Sequence, residues 1–354
     1  MKGLGKRLVI LVLCTVLLLL TACQSENTAT GKSGDKKIKI GLAMKTEVQP
    51  RWKFELKFME EKAKELGAEI IVQWANDDVT KQGNQIENLL SQGIDALIVV
   101  PVTDKIGPYV EKAKMEGVPV VSYDALPKEV EVDLFVTRDN YKVGELQTMA
   151  ALDYVGEGES NIVVLKGDPA STVAQGIAEA YDEILKDKQN IKIVAEQWHQ
   201  NWSTEEALKT AENALSAQND NIKAFLSSSD GLAMGVAQAV KGRGMQGQTF
   251  ISGLDVELGS ARMIAEGTQT MSIWTKIDDQ ARKAIIGAVQ LAKKEELTSE
   301  STTNNGKYDV PTVFADVMPV DQNNLCSFIK DDAPEGWMKI EDVYKDVEAP
   351  EGCK

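Results

Sequence analysis

The sequence predicts an α/β fold built as two similar, doubly wound lobes. Three observations carry that reading. From residue 37 to residue 275, β-branched apolar runs alternate with segments of helical period. Runs such as 96–100 (ALIVV) are continuously apolar, as strands covered on both faces must be. The first helices stop at Gly67, Gly93 and Gly117, and a new strand follows each within a few residues.

Residues 37–44 (KIKIGLAM) read as the first strand. Pro50, Arg51 and Trp52 lead into a helix over 53–66, with Phe54, Leu56, Met59 and Ala63 on its apolar side. Strand 68–74 follows, then Asn76, Asp77 and Asp78 form a turn that caps a helix over 79–92. After strand 96–100, Thr103 or Asp104 caps a helix carrying Ile106, Tyr109, Val110 and Ala113. Strand 118–123 completes a strand–helix–strand unit, whose strands must be parallel with a right-handed crossover. The unit ends on Asp124, and open parallel sheets bind ligands beyond the carboxyl ends of their strands.

A short strand at 135–138 precedes a helix headed by Asp139 and Asn140. The alternation then restarts, with strands at 161–166, 191–198, 224–228, 249–253 and 270–275. Helices at 172–186, 204–217, 231–241 and 258–266 separate or follow them. A long helix at 277–294 has Asp278 and Asp279 in its first turn and Lys293 and Lys294 in its last, which suits its dipole. One late strand is expected at 310–318, then a polar, irregular tail over 321–354.

The chain has 354 residues, enough for two ordinary domains and a targeting segment. Its 43% hydrophobic and 26% charged residues match a soluble globular protein. A formal net charge of -15 repels phosphate backbones and excludes nucleic acid as a partner. Lys2, Lys6 and Arg7 precede an apolar run at 8–20, too short for a comfortable membrane span, so 1–22 read as a signal peptide. Leu20-Thr21-Ala22-Cys23 resembles a bacterial lipobox. Cys23 is therefore the expected lipidation site, anchoring an extracytoplasmic protein to the cell membrane, with polar residues up to 36 as a flexible tether. Cys326 and Cys353 remain as an even pair, expected to be oxidised outside the cytoplasm, with two free thiols as the alternative.

Enzyme motifs are missing or misplaced. The run from Gly242 to Gly247 matches G-x-G-x-x-G, but it follows a helix and precedes a strand, the reverse of a dinucleotide fingerprint. The single histidine, His199, excludes multi-histidine metal centres, and no G-x-S-x-G elbow accompanies it. The expectation is a non-enzyme with no cofactor and no metal.

A series of segments in fixed order resembles the ribose/galactose-type sugar-binding proteins of ABC importers, and within them the periplasmic xylose-binding proteins. It comprises Arg51-Trp52, Gln85-Ile86-Glu87-Asn88, the strand at 95–100, Tyr123-Asp124, the run from Asp139 to Gln147, Gln197-Trp198 with Trp202, Ile251-Ser252-Gly253, and the run from Gly267 to Met271. The resemblance implies two Rossmann-like lobes joined by a three-crossover hinge, closing on a sugar. It divides the chain into an N-terminal lobe (37–137 plus 276–306), a C-terminal lobe (138–275 plus 307–320) and the tail. It implies a lipid-anchored solute receptor for a monosaccharide serving an ABC permease. The alternative is a sugar sensor signalling to a membrane histidine kinase or chemoreceptor. A monomer is expected.

Sugar recognition needs hydroxyl partners and aromatic walls for the C–H faces. Arg51, Asp124, Asp230 and Asp255 fall at strand ends, and Trp52, Trp202 and Trp274 are the candidate walls. Each aspartate also reads as a helix cap, and each tryptophan as core. Ala125 stands where the relatives carry an arginine, and Ser171-Thr172-Val173 where they carry Asp-Asn-Asn. Ser229 and Leu254 replace amides, and Thr275 aligns with a lysine. Ser171 and Thr275 complete the expected set, and a ligand other than xylose is left open. Replacing Asp124 by Ala is expected to abolish binding with little change in apo stability.

Overall fold

The computed structural model describes residues 37–49, 51–299 and 301–353; the leader, Cys23 and the tether lie outside the described residues. Chain order begins β1 (Ile38–Met44), α1 (Arg51–Glu65), β2 (Ala68–Trp74), α2 (Val79–Ser91), β3 (Ala96–Val99), α3 (Gly107–Met115), β4 (Val120–Tyr123) and β5 (Leu134–Arg138). It continues through α4 (Asn140–Val155), β6 (Ser160–Lys166), α5 (Thr172–Leu185), β7 (Ile191–Trp198), α6 (Thr204–Ala217), β8 (Ala224–Ser227), α7 (Asp230–Gly242), β9 (Phe250–Ile251) and α8 (Leu258–Ala265). Then come β10 (Met271–Thr275), α9 (Ile277–Lys293), β11 (Ser301–Asn304), β12 (Asp309–Ala315) and β13 (Val317–Asp321).

The N-terminal lobe is a seven-stranded sheet in the order β11-β12-β5-β4-β3-β1-β2, parallel except where β11 meets β12. Its central strands β3 and β4 are buried on both faces because helices cover both. Ala96 and Ile98 of β3 pack with Met59 of α1 and Ile285 of α9, while Leu97 and Val99 pack with Ile86 of α2 and Val110 of α3. The C-terminal lobe is a parallel sheet in the order β7-β6-β8-β9, extended by a bridge from Leu254 to Ile273 that brings in the antiparallel pair β10-β13. Its two cores alternate in the same way, Val163 and Leu165 on one face and Ile162 and Val164 on the other. This is the type I fold expected, two doubly wound lobes.

The chain passes between lobes after Arg138, at Lys276 and at Asp316, and the last two passages are joined by a 3.0 Å bond from the Lys276 N–H to the Asp316 carbonyl. One boundary needs correction. Residues 307–315 belong with the N-terminal lobe, since β12 pairs in parallel with β5. The expected single strand at 310–318 is two strands broken at Asp316, and only β13 joins the C-terminal lobe. A continuous apolar pattern does not reveal which sheet's hydrogen-bonding edge each half will meet.

Both lobes pin their strand ends with a buried glutamine. Gln82 of α2 donates to the Val100 carbonyl at 2.7 Å and accepts from the Val102 N–H at 3.0 Å. Gln147 of α4 donates to the Gly253 carbonyl at 2.7 Å and accepts from the Tyr181 hydroxyl. Such paired, buried amides fix the loops that follow the strands, which is where the cleft forms. Gly242–Gly247 is the end of α7 and a turn, with Gly244 and Gly247 at positive φ. His199 is structural, its ring bridging the Lys166 carbonyl at 2.9 Å and the Thr210 hydroxyl at 3.1 Å.

Candidate functional site

Between the lobes lies a cavity of about 660 Å³, lined from both sides by residues at strand ends. That volume lies within the usual range for small-molecule sites. On the N-terminal side, Arg51 opens α1 and is buried. Its Nε donates to Glu55 at 2.6 Å, its Nη2 to Asp124 at 3.1 Å, and its Nη1 across the cleft to Asp255 at 3.4 Å. Burial opposes the guanidinium's charge, yet Glu55, Asp124 and Asp255 outweigh it and hold its pKa well above the ordinary value.

Asp124 follows β4 at φ 67°, a left-handed conformation that its own N–H to Val136 (2.9 Å) and the Thr137 hydroxyl to its carbonyl (2.9 Å) maintain. Its Oδ1 accepts from both Arg51 and Arg138, the latter at 3.0 Å. Burial alone would raise its pKa, but Arg51 and Arg138 pull it below the usual value, so the carboxylate is ionised. Trp52 is buried beside them, its indole N–H bonded to Gln49 at 2.9 Å and the Arg51 guanidinium 4.5 Å above its ring.

On the C-terminal side, the Trp202 ring packs directly against Gly167. A Cβ at position 167 would come within 2.2 Å of the ring, so only glycine admits this wall. The turn carrying Trp202 is tied back by the Asn201 N–H to Asp168 at 2.6 Å. Ser171 lines the cleft just before α5, and Thr172 reaches the other lobe by accepting from the Leu126 N–H at 3.3 Å.

Asp255 and Val256 form a turn at φ 97° and 48°, and Val256 pays a strain cost there as a β-branched residue. Three groups hold the turn. The Asp230 carboxylate accepts from the Glu257 N–H at 2.8 Å, Ser272 accepts from the Val256 N–H at 3.2 Å, and the Trp337 indole donates to the Val256 carbonyl at 3.0 Å. Asp230 also accepts from Ser272 at 2.7 Å and from Gln269 at 3.4 Å. Burial, only partly offset by those hydrogen bonds, pushes its pKa up to about 8.

Arg51, Trp52, Asp124, Ser171, Trp202, Asp230 and Asp255 all border the cavity. Asp230 differs from the expected role, because its oxygens are engaged in fixing the Asp255 turn. Trp274 and Thr275 are corrections. Trp274 is 1% exposed and packs edge-on against Phe328 and Trp337 at 5.1 and 5.0 Å. Thr275 is fully buried in the β10–β13 ladder beside Val317. Neither borders the cavity, because the tail covers that end of β10. Sequence reasoning missed Arg138, Lys45, Asn201 and Glu257, which do border it. Arg138 precedes Asp139-Asn140, so its place at the end of β5 was the available signal. Among the described residues no group of three or more His, Cys, Asp or Glu could hold a metal ion, and no helix is long and apolar enough to cross a membrane.

Two lobes closing strand ends around a shared cavity define a class, the two-lobed small-molecule receptors. The chain belongs to the periplasmic binding protein family, and its residues 40–296 match the periplasmic binding protein domain. It is 36% identical to the D-xylose-binding periplasmic protein of Escherichia coli (strain K12), over 87% of this chain and 94% of that protein. It is 33% identical to the D-xylose-binding periplasmic protein of Haemophilus influenzae, over 92% and 98%. Among solved structures it is similar to an ABC transporter solute-binding protein from Clostridium phytofermentans with bound β-D-glucose, with TM-score 0.76 and 25% identity over 86% of this chain and 99% of that one.

Proposed function

We propose that this protein captures a monosaccharide or a closely related polyol in the interlobe cleft and delivers it to an ABC importer, held at the membrane by lipidated Cys23. The observation that carries the reading is the cleft itself, where Arg51, Asp124 and Arg138 of one lobe face Asp255 of the other, with Trp52 and Trp202 at its borders. A sugar hydroxyl both donates and accepts, so it satisfies carboxylates and guanidiniums together, while its C–H faces pack on indole rings. Bridging both lobes, the ligand stabilises the closed state by the difference between its contacts there and in the open state. The names of the relatives support a sugar.

Isothermal titration against D-xylose, D-glucose, D-allose, xylitol and myo-inositol tests the reading. Saturable binding of at least one is expected, and no heat with any of them sinks it. For the anchor, Cys23→Ala expressed with its own leader should move the protein from the membrane fraction to the soluble extracytoplasmic fraction.

A further inference from the structure

Arg138 has more hydrogen-bonding capacity than the protein uses. It is the last residue of β5 and borders the cavity, yet its side chain is only 3% exposed. Among the described residues its side chain makes one hydrogen bond, from Nη1 to Asp124 Oδ1, and its Nε is buried without a partner. Arg51 is the contrast, with each of its three nitrogens directed to a different carboxylate. Asp124 already has Arg51 as its counter-ion. A second desolvated guanidinium on the same oxygen is costly unless something else uses its donors.

The geometry points to Arg138 as a ligand-contacting specificity residue that, with the free Oδ2 of Asp124, reads two adjacent hydroxyls of the ligand. β4 and β5 are parallel neighbours in register at Tyr123 and Val136, so the two side chains leave adjacent strand ends toward the same space. Oδ1 of Asp124 is occupied by both arginines, while Oδ2 has no partner among the described residues. One hydroxyl donates to Oδ2, and its neighbour accepts from the guanidinium. Ala125, following Asp124, offers only a methyl group there. Arg138 also precedes the first passage between the lobes, so a ligand held by it is held at the hinge.

This inference rests on the sugar-binding reading, and its test separates the two. The probe is whichever of D-xylose, D-glucose, D-allose, xylitol or myo-inositol binds the wild type most tightly, together with its monodeoxy analogues. Arg138→Gln should weaken the parent probe by about 10- to 100-fold, the range for a hydrogen bond to a charged group. Against the one analogue lacking the accepting hydroxyl, the variant and the wild type should agree within about 3-fold, since that contact is already gone from both. Equal loss against every analogue would reduce Arg138 to a support for Asp124, and unchanged affinity for the parent would remove it from the site. Arg138→Lys, which keeps the charge but not the fork, provides the same comparison if the glutamine variant does not fold. A wild type that binds no probe overturns both readings, whereas a binding wild type with an indifferent Arg138→Gln overturns this one alone.

Discussion

Asp124 shows how burial changes what a substitution does. The sequence suggested a ligand-facing carboxylate whose removal would leave the apo protein intact. In the structure it neutralises two buried guanidiniums, so Asp124→Ala should cost about 3 kcal/mol of apo stability as well as ligand binding. Urea unfolding of the empty variant checks this, and an unchanged midpoint would contradict the shared ion pair. Asp230 makes a pH-dependent prediction. Its folded pKa, about 8, lies above its unfolded value, so its contribution is complete below about pH 4 and is lost as pH rises toward 8. Between those limits stability should fall by up to about 1.4 kcal/mol per pH unit. In Asp230→Asn that slope should disappear from urea midpoints collected across pH 5 to 8, roughly the span between its unfolded and folded values. Gly167→Ala should displace the Trp202 ring, weakening ligand binding and lowering the thermal midpoint together.

The element that behaves least as its sequence suggests is the tail. Polar and irregular, it reads as an appendage, but Leu325, Phe328, Val343 and Cys353 are buried in a core of their own with Trp274 and Ile277. Trp337 meets Phe54 of α1 at 5.1 Å and Trp274 of β10 at 5.0 Å, so the tail touches both lobes. A disulfide joins Cys326 to Cys353 across 27 residues. Closing such a loop restricts the unfolded chain, and replacing both cysteines by serine should cost about 3 kcal/mol while leaving ligand affinity nearly intact. Trp337→Ala should act on both properties. It removes packing worth about 2 kcal/mol and also the donor that holds the Val256 carbonyl, so the Asp255 turn loosens and affinity falls. Calorimetry beside thermal unfolding distinguishes the two variants.

At the scale of the molecule, three passages of the chain join the lobes, and among the described residues two polar contacts cross the cleft directly, Arg51 to Asp255 and Leu126 to Thr172. A ligand that bridges the same gap favours this arrangement over an open one only through contacts made in both lobes. At a ligand concentration about 100 times Kd the folded state should gain about 2.7 kcal/mol, raising the thermal midpoint in proportion to the logarithm of concentration. A ligand that binds without that shift would be binding the unfolded chain as well.

Much of this protein was legible in its residues one stretch at a time. Continuous apolar strands, glycine-stopped helices and Asp124 at a strand end follow from local sterics and burial, which act over a few residues. Hence the two lobes could be expected from the residues alone, whereas Arg51, Trp52, Asp124, Ser171, Trp202 and Asp255, which all border the cavity, were named with the help of the family resemblance. Tertiary structure decided what depends on residues far apart in the chain. β12 belongs to the first lobe because its free edge meets β5. Trp274 is core rather than cleft wall because a tail more than fifty residues away packs over it, Phe328 and Trp337 included. Asp230 holds a turn because Glu257 and Ser272 come to it from other elements. The sequence placed Arg138 at a strand end, but its role became readable only once β4 and β5 lay side by side, because that role is defined by Asp124, its partner across the strand pair.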